Sequence, residues 1–571
     1  MAGAHSVFAA TSGTLLEAGD TPLTYAEAMA SPDGQKWRDA AKAEFDGCVA
    51  QGTWVLVKRS DLPKNTNIVP VKWVFKIKTN EYGAVTKYKA RITPKGFKQR
   101  YGIDYFETFA NTGKYKTLRV ALSLAARRNL NLHQLDVPQA FTQAVLEEDV
   151  YMEMPEGFAV DGMVCLLKKS LYGLKQSPRN WYKLISTFIV DEMGFKATVS
   201  DPCLFVKVSR TGEEMILFLF VDDLQVGVAD ADEAEWAEYQ ALLKERFNIT
   251  DLGESTYMLG MRIARDRAAG TITLSQEPYF DKALARFGLD KCKTAPTPGV
   301  KAGGRDSVMR DSPSRKREGG KASKPIDVLL YQEKVGTLMY AAISTRPDIA
   351  YAVNKLARHM LAPTAENGRA CDRVFRYLAG TKSLGLVFGR NRDAKGISVS
   401  AYADADWGGD QSDRRSTTGW IAMLNGDPIS WASKRQKVVS QSSCEAELYA
   451  EAAGINELKW LSGLLGELGV RVTSAPTLFG DNQSTQSLTR NGIKSERTKH
   501  IDIKYHFVTD EVEKGNVQLQ WIPTTEQLAD VLTKALGVQQ HTALIKQLMA
   551  QALPSAPRIE NAGSKTSRLL A

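Results

Sequence analysis

The sequence predicts a multidomain α+β protein, and three observations support that fold class. The chain has 571 residues, of which 43% are hydrophobic, so it can build several cores. Residues 215–228 contain two apolar runs separated by two adjacent acids, which is typical of a β-hairpin. Beyond residue 396, strand-like alternation is interleaved with helical spacing. Helices and strands are therefore expected in more than one unit.

The two adjacent acids, Asp222 and Asp223, lie at the tip of the predicted hairpin. Two charges at the end of a buried strand are costly unless a cation meets them. A divalent metal ion is the usual solution, because hard cations bind carboxylate oxygens. A simple polar turn is the alternative explanation for an Asp-Asp pair considered alone.

A third acid, Asp136, ends a short strand pattern in the run 133–141. The chain between Asp136 and Asp222 is long enough for a helix, a loop and a returning strand. The three carboxylates can therefore converge from different strands. Such a cluster can hold two metal ions roughly 3.5–4 Å apart, which is the arrangement used in two-metal phosphoryl transfer.

These residues resemble the palm of reverse transcriptases, which carries an aromatic-x-Asp-Asp hairpin and an upstream Asp followed five residues later by an aromatic. Here the two motifs are Phe220–Asp223 and Asp136 with Phe141. Further blocks follow the order found in copia-type long-terminal-repeat retrotransposon polymerases, over roughly residues 21–300. They are residues 73–78, 88–97, 102–110, 147–158, 171–182 and 252–261.

The resemblance implies a right-hand RNA-directed DNA polymerase with fingers, palm and thumb. Its cofactor would be two Mg²⁺ ions, with Mn²⁺ as an alternative. It assigns metal binding and catalysis to Asp136, Asp222 and Asp223, and nucleotide binding to Arg91, Lys78, Phe141 and Gln176. The chain departs from the family pattern at Pro138–Gln139 and at Ile92–Pro94, and neither departure replaces a carboxylate.

A second series of acids follows in the C-terminal part of the chain. An Asp ends a strand pattern, a Glu lies on a helical pattern, another Asp follows a short apolar run, and a last Asp lies on a predicted helix. These are Asp404, Glu447, Asp481 and Asp530. For any one of these acids alone, a solvated surface residue is the usual explanation.

The order of these four acids resembles the α/β ribonuclease H fold, and blocks 403–407, 442–447 and 528–534 resemble copia-type RNase H. The resemblance implies that all four acids bind metal and catalyse two-metal hydrolysis with water as the nucleophile. Retroviral RNase H commonly has a His before its last Asp, and residues 523–526 contain none. We interpret His500 and His506 as structural or RNA-contacting residues.

The net charge of +9 comes from 74 Lys and Arg against 65 Asp and Glu, and the excess is concentrated in residues 72–100. Basic residues there alternate with aromatic ones, which is typical of a nucleic-acid groove. The aromatics are Trp73, Phe75, Tyr82 and Tyr88. An ordinary solvated hairpin with inward-packed aromatics is the alternative.

The six cysteines are scattered without a CxxC pair, which excludes a regular zinc site and indicates a reducing compartment. There is no apolar run of 18 residues, so no membrane partner is expected. The expected partners are RNA template, DNA primer, RNA–DNA hybrid and dNTPs, together with integrase or capsid proteins of the same element. The expected location is the cytoplasm, within virus-like particles, or the nucleus.

The predicted organisation has six segments. Residues 1–20 are a disordered N-terminus, and 21–295 form the polymerase, beginning with one helix over 21–53. A flexible linker (296–325), a helical connection (326–395), an RNase H domain (396–545) and a tail (546–571) follow. The chain is then the polymerase end of a larger polyprotein or a truncated gene. The rival hypothesis is a decayed or domesticated relic that binds nucleic acid without catalysis, and a primer-extension assay separates the two.

Overall fold

The computed structural model describes residues 21–79, 85–300, 326–391, 396–410, 412–485 and 502–551. Helices and strands occur throughout these ranges, so the predicted mixed α+β character is confirmed. The predicted disordered N-terminus, His500, Tyr82, most of the linker 296–325 and the tail after residue 551 lie outside the described residues. In the described ranges no helix is both long enough and apolar enough to cross a membrane.

Two helices, Tyr25–Ala30 and Gly34–Ala50, replace the single helix predicted over 21–53. The residue before a proline avoids the α conformation, and Pro32 therefore separates the two helices. The second helix buries Trp37 and Cys48, whereas Val49 is 52% exposed. The prediction was wrong about the number of helices.

The basic segment forms a two-stranded antiparallel hairpin, Val71–Thr79 with Val85–Pro94, which we call the basic hairpin. Successive side chains of a strand point to opposite faces. Trp73 and Phe75 are buried on one face, and Trp37 packs edge-on against Phe75 at 5.2 Å. The opposite face carries the lysines. The aromatics of the first strand therefore belong to the core, as the alternative explanation predicted.

A four-stranded sheet lies beside the basic hairpin. Its strands, in spatial order, are Trp54–Lys58, Met163–Lys169, Val145–Met152 and Ile68–Val69. Its buried residues share a core with the basic hairpin and with the helix Gly34–Ala50. Short 3₁₀ turns occur at Arg59–Asp61 and Gly96–Lys98.

A six-stranded antiparallel sheet, the central sheet, carries the Asp-Asp hairpin. Its strands, in spatial order, are Thr250–Glu254, Asn131–Asp136, Asp223–Val228, Glu214–Phe220, Leu204–Val208 and Lys196–Ala197. Along Glu214–Phe220 alternate side chains enter two different cores. Both faces are thus buried, which explains the continuous apolar run before Asp222.

Helices cover the two faces of the central sheet. Ser177–Asp191 and Glu233–Phe247 pack on one face, and Tyr115–Arg128, which we call the interface helix, packs on the other. A short helix, Ala140–Gln143, follows the strand that ends on Asp136, and the 3₁₀ turn Asp230–Asp232 precedes Glu233.

A third sheet crosses the predicted domain boundaries. Its five strands, in spatial order, are Tyr257–Met258, Met261–Asp266, Thr271–Ser275, Leu384–Phe388 and Met549–Gln551. It joins strands from the predicted polymerase, connection and tail. Residues 549–551 are therefore a strand rather than a patternless tail.

Most of the segment 326–395 is helical, as predicted, although Leu384–Phe388 is a strand. Its helices are Val328–Ser344, Ala350–Ala357 and Ala365–Thr381, with the 3₁₀ turn Pro347–Ile349, and they share a core with Glu277–Arg286. Within this core Arg346 and Asp348 form an ion pair at 2.6 Å with both side chains fully buried.

The C-terminal sheet combines antiparallel and parallel pairing. Its strands, in spatial order, are Asp427–Arg435, Thr417–Leu424, Val399–Asp406, Thr477–Gly480 and Gln518–Trp521. The first three are antiparallel, and the last two add in parallel to Val399–Asp406. The helices of this region are Ser443–Glu467, Asp502–Glu513 and Val538–Leu548.

The interface helix joins the central and C-terminal sheets. The Lys116 Nζ lies 2.9 Å from Glu457 Oε1, and the Ser123 hydroxyl donates to Asp427 at 2.7 Å. Arg119, buried between them, donates to the Ser344 carbonyl at 2.8 Å. Apolar residues of both regions form one continuous core. The two predicted catalytic units are therefore packed together through these described residues.

Candidate active sites

The N-terminal site is built where two neighbouring strands end. Asp136 and Asp223 are direct partners across the antiparallel pair, so their Cα atoms are about 5 Å apart. The Val137 amide donates to the Asp222 carbonyl at 2.9 Å, which joins the hairpin turn to the end of the neighbouring strand. The structure thus places all three predicted acids at one edge of the central sheet.

The hairpin turn is held in a strained conformation. Val221 has φ 58°, a left-handed value that β-branched residues rarely adopt. The Trp181 indole donates to the Val221 carbonyl at 2.6 Å, and this contact stabilises the turn. Trp181 was not among the predicted site residues, because its contact with Val221 depends on long-range packing.

Both acidic and basic side chains are concentrated at this edge of the central sheet. Burial, Asp222 and Asp136 raise the pKa of Asp223 to about 7, whereas Lys78 lowers it. Burial also raises the pKa of Asp222, which Arg91 and Lys89 lower. The basic hairpin therefore lies over the acids. The carboxylates repel one another as they stand, which is the situation that a divalent cation relieves.

The predicted nucleotide-binding residues fall into two groups. The Arg91 guanidinium lies 4.9 Å from the Tyr172 ring centroid, and Tyr172 packs 5.3 Å from Phe141. Arg91, Tyr172 and Phe141 thus form a continuous stack. Lys78 is exposed on the same face of the basic hairpin.

Gln176 is buried in the protein, in contact with the segment 99–104. Its side chain is 1% exposed, and its amide nitrogen donates to the Asp104 carbonyl at 2.8 Å. Its amide oxygen accepts from Gln99 at 3.0 Å. These hydrogen bonds tie Gln176 to the segment 99–104, and its contact with the nucleotide stays a prediction.

Lys89 is a basic residue at this site that the sequence prediction did not single out. It is the strand partner of Lys76. Burial, together with the neighbouring charges of Arg91 and Lys78, lowers the pKa of Lys89 to about 8. Strand alternation would have placed it beside Arg91, since the two residues are two apart on one strand.

The C-terminal site brings three of its four predicted acids into a tight group. Asp404, Glu447 and Asp481 each offer an oxygen, and these oxygens lie within 4.8 Å of one another. Asp404 lies near the end of the central strand of its sheet, Glu447 lies on the long helix that packs across that sheet, and Asp481 directly follows the parallel strand. Burial, Asp404 and Asp481 raise the pKa of Glu447.

The fourth acid, Asp530, is fully buried nearby on a 3₁₀ helix, Leu528–Leu532, and not on the α-helix that was predicted. Burial and Asp404 raise the pKa of Asp530 to about 7. The preceding loop contains the predicted residues 523–526, of which Thr524 donates to Asp481 at 2.8 Å. His506 lies on the helix Asp502–Glu513, and its ring packs 5.4 Å from that of Tyr505.

Residues 51–301 match the family described as reverse transcriptase (RNA-dependent DNA polymerase). The chain is also 38% identical to the Pol polyprotein from transposon TNT 1-94 of Nicotiana tabacum. That alignment extends over 518 residues and covers 90% of this chain. It is 38% identical to the Pol polyprotein from transposon RE1 of Arabidopsis thaliana, over 91% of this chain.

The predicted relationship to copia-type Pol polyproteins is confirmed by these relatives. The chain spans 38% and 34% of their respective lengths. Among solved structures, a foamy viral protease-reverse transcriptase in complex with RNA/DNA hybrid is similar at a TM-score of 0.45 and 12% identity. That similarity covers 94% of this chain and 56% of the foamy viral chain.

The raised pKa of Asp223 predicts that stabilisation of the protein by a divalent metal ion depends on pH. An unfolded Asp has a pKa of about 3.9, well below the pKa of about 7 for folded Asp223. Between these two pKa values, the Asp223 carboxyl is ionised in the unfolded chain and still protonated in the folded chain. The free energy of unfolding contributed by Asp223 therefore falls as pH rises. We expect Mg²⁺ to raise the melting temperature by a few degrees at pH 8 and by much less at pH 5.

Differential scanning fluorimetry with Mg²⁺ or a chelator at the two pH values measures this response. The variant Asp223→Asn should lose part of the shift at pH 8, whereas Asp230→Asn, in the exposed 3₁₀ turn beyond the far end of that strand, should keep it. Equal shifts at both pH values would contradict a metal response governed by buried carboxylates.

Proposed function

We propose that the chain is an RNA-directed DNA polymerase with a fused ribonuclease H, which copies retrotransposon RNA into DNA and degrades the RNA strand. The observation that supports this most directly is the presence of two separate acidic centres in one chain whose residues 51–301 match the reverse transcriptase family. The fingers, palm and thumb correspond to the basic hairpin region, the central sheet and the helices that follow residue 275.

In the polymerase centre, Asp136, Asp222 and Asp223 would hold the divalent cations, for which we propose two Mg²⁺, with Mn²⁺ as a substitute. When bound, such ions activate the attacking hydroxyl and neutralise the leaving oxygen. The donor set fits, since three carboxylates share one sheet edge and repel one another. Trp181 stabilises the turn that carries Asp222 and Asp223.

The basic hairpin would bind the triphosphate and the nucleic-acid backbone. Lys78, Lys89 and Arg91 share one face, turned away from the buried aromatics. Arg91 is fixed on the Tyr172 ring, so its guanidinium is positioned for a phosphate before the nucleotide arrives. We propose RNA template, DNA primer, RNA–DNA hybrid and dNTPs as ligands, and integrase or capsid proteins of the element as partners.

The proposed ribonuclease H domain contains the C-terminal sheet, with Asp404, Glu447, Asp481 and Asp530 as the proposed metal ligands and catalytic acids. The tight group of the first three supports metal binding. Action within virus-like particles in the cytoplasm, with later nuclear entry of the product, is the location that fits this role.

Hybrid binding should depend strongly on salt, because each neutralised phosphate releases counterions. We expect a log–log slope of several units for the parent protein. Reversing the charges of Lys76, Lys78 and Arg91 should reduce that slope by about 2–3 units. Reversing three exposed lysines elsewhere, Lys183, Lys196 and Lys244, is the matched control and should change it little.

Fluorescence anisotropy with a labelled hybrid at several salt concentrations gives both slopes. A parent slope near zero would show that the basic hairpin is not a nucleic-acid surface.

Phe141 should select deoxyribose. In the proposed site its ring stands against the second carbon of the sugar, backed by Tyr172 at 5.3 Å. A ribose hydroxyl would enter the same volume, at a cost of about 1–3 kcal/mol, which corresponds to roughly tenfold discrimination or more. Phe141→Val should therefore admit ribonucleotides with a smaller loss of deoxynucleotide incorporation.

The measurement is the ratio of single-nucleotide incorporation rates for dNTP and rNTP. Tyr172→Leu, which removes the backing ring but leaves Phe141, should change the ratio less than Phe141→Val does. An unchanged ratio in Phe141→Val would show that Phe141 is only a core aromatic.

The direct test of the proposed function is extension of a DNA primer on a homopolymer RNA template by the purified full chain. Extension with concurrent shortening of the RNA supports both activities. A folded protein that binds the hybrid but does neither would instead be the non-catalytic relic.

A further inference from the structure

One ammonium group pairs with both Asp530 and Asp404 in the proposed nuclease centre. The Lys534 Nζ lies 2.7 Å from Asp530 Oδ1 and 3.5 Å from Asp404 Oδ2. The second Asp530 oxygen accepts from the Gln540 amide at 3.1 Å. Both oxygens of the fourth proposed metal ligand are therefore already bound to protein groups, and a cation lies between Asp530 and Asp404.

The local fold brings Lys534 to this position. Its backbone amide donates to the Asp530 carbonyl at 3.2 Å, one turn back along the chain. The neighbouring Thr533 hydroxyl donates to Asp404, which joins the two acids through adjacent residues. Asp404 and Asp530 are 2% and 0% exposed, and two buried carboxylates this close require a positive charge.

Lys534 differs from the acids in one important respect. Its side chain is 37% exposed, so it enters the centre from the surface and can swing out without unfolding the surrounding sheet. The acids themselves are fixed on a strand and on a 3₁₀ helix. Of these three charged side chains, Lys534 is the one that reaches solvent.

We propose that Lys534 is a built-in cation that occupies one of the two metal positions of the nuclease centre. The free protein then binds one divalent ion, at Asp404, Glu447 and Asp481, and the second position, between Asp404 and Asp530, opens only when Lys534 withdraws. An ammonium and a divalent ion cannot share this space, since positive charges about 4 Å apart repel strongly in a partly buried site. This inference rests on the proposed nuclease function.

The withdrawal of Lys534 has a natural cause in the proposed substrate. A backbone phosphate of the hybrid is a strong acceptor for an ammonium at the mouth of the site. Transfer of Lys534 from Asp530 to a phosphate would free both acids for the second ion. Substrate and second ion would then strengthen each other's binding.

The test counts Mn²⁺ bound to the full chain by electron paramagnetic resonance. The variants are made in an Asp222→Asn, Asp223→Asn background, so that the polymerase acids contribute little. The parent of this series should bind one Mn²⁺ tightly at the nuclease centre. Lys534→Met should bind two, with the affinity for the second ion raised at least about tenfold.

Two controls separate charge from packing. Lys534→Arg keeps the charge and should behave as the parent does. Lys546→Met removes an exposed lysine from the following helix and should also leave the count at one. Circular dichroism and melting curves confirm that each variant is folded.

Equal counts and affinities in the parent and in Lys534→Met would overturn the inference while leaving the nuclease centre in place. Binding of two ions by Lys534→Arg, with the count of one kept in the parent, would also overturn it, since charge would then not be the cause. Absence of any bound Mn²⁺ in a folded parent would refute the proposed nuclease centre itself.

Discussion

Replacing Asp222 by Asn should lower primer extension by orders of magnitude while cleavage of hybrid RNA continues. The substitution keeps the shape of the side chain but removes one charge from the proposed metal-binding group. The turn itself should persist, because it is held through backbone carbonyls: Trp181 bonds to that of Val221, and Val137 to that of Asp222. The loss is therefore expected in the chemical step and not in folding.

Primer extension and RNA cleavage are measured on the same hybrid with the same protein preparation. Asp230→Asn is the matched control, because Asp230 is an exposed acid in the 3₁₀ turn that follows the strand Asp223–Val228. An extension rate in Asp222→Asn within a few-fold of the parent would refute the assignment of the polymerase centre.

Asp404→Asn should have the reverse effect, abolishing degradation of the RNA strand while DNA synthesis continues. Asp404 belongs to the tight group with Glu447 and Asp481, and it also receives the Thr533 hydroxyl. Loss of its charge should weaken the binding of every cation in the proposed centre. Asp510→Asn, in a surface pair with Lys514, is the matched control.

The packing between the two regions makes this separation a demanding test. The interface helix ties the central sheet to the C-terminal sheet through Lys116 and Ser123. An Asn substitution preserves volume, so it should not disturb that interface. Cleavage at the parent rate in Asp404→Asn would show that its assigned role is wrong.

Sequence patterns predicted the acids well because each follows a local rule. Asp222 and Asp223 interrupt an apolar run, and Asp136 and Asp404 end strand patterns, so sheet geometry alone brings them to sheet edges. The same rule predicted the basic hairpin, where lysines and aromatics alternate. Local periodicity is sufficient when a strand carries one charged face or one charged end.

Long-range contacts account for what the sequence did not predict. The burial of Gln176 depends on Gln99 and Asp104, which are far away in the chain. The sheet that joins 271–275, 384–388 and 549–551 is formed by strands from three predicted segments. No pattern within one strand indicates which distant strand it pairs with. The predicted domain boundaries near 295, 326 and 545 therefore separate strands that belong to one sheet.

Some missed features did have a local signal. Pro32 in the run Ser31–Gly34 is a turn signature that divides the predicted first helix. Lys534 lies four residues after Asp530, a spacing that places it within reach of that acid on one helical turn. Turn chemistry and charge spacing therefore carry information about both features.

One reaction tests the central claim most directly: the unaltered chain, a DNA primer labelled at one end and an RNA template labelled at the other, with dNTPs and Mg²⁺. The account predicts a longer DNA strand and a shorter RNA strand from the same protein, both lost when Mg²⁺ is chelated. A folded, hybrid-binding protein that changes neither strand with Mg²⁺ or Mn²⁺ would contradict it.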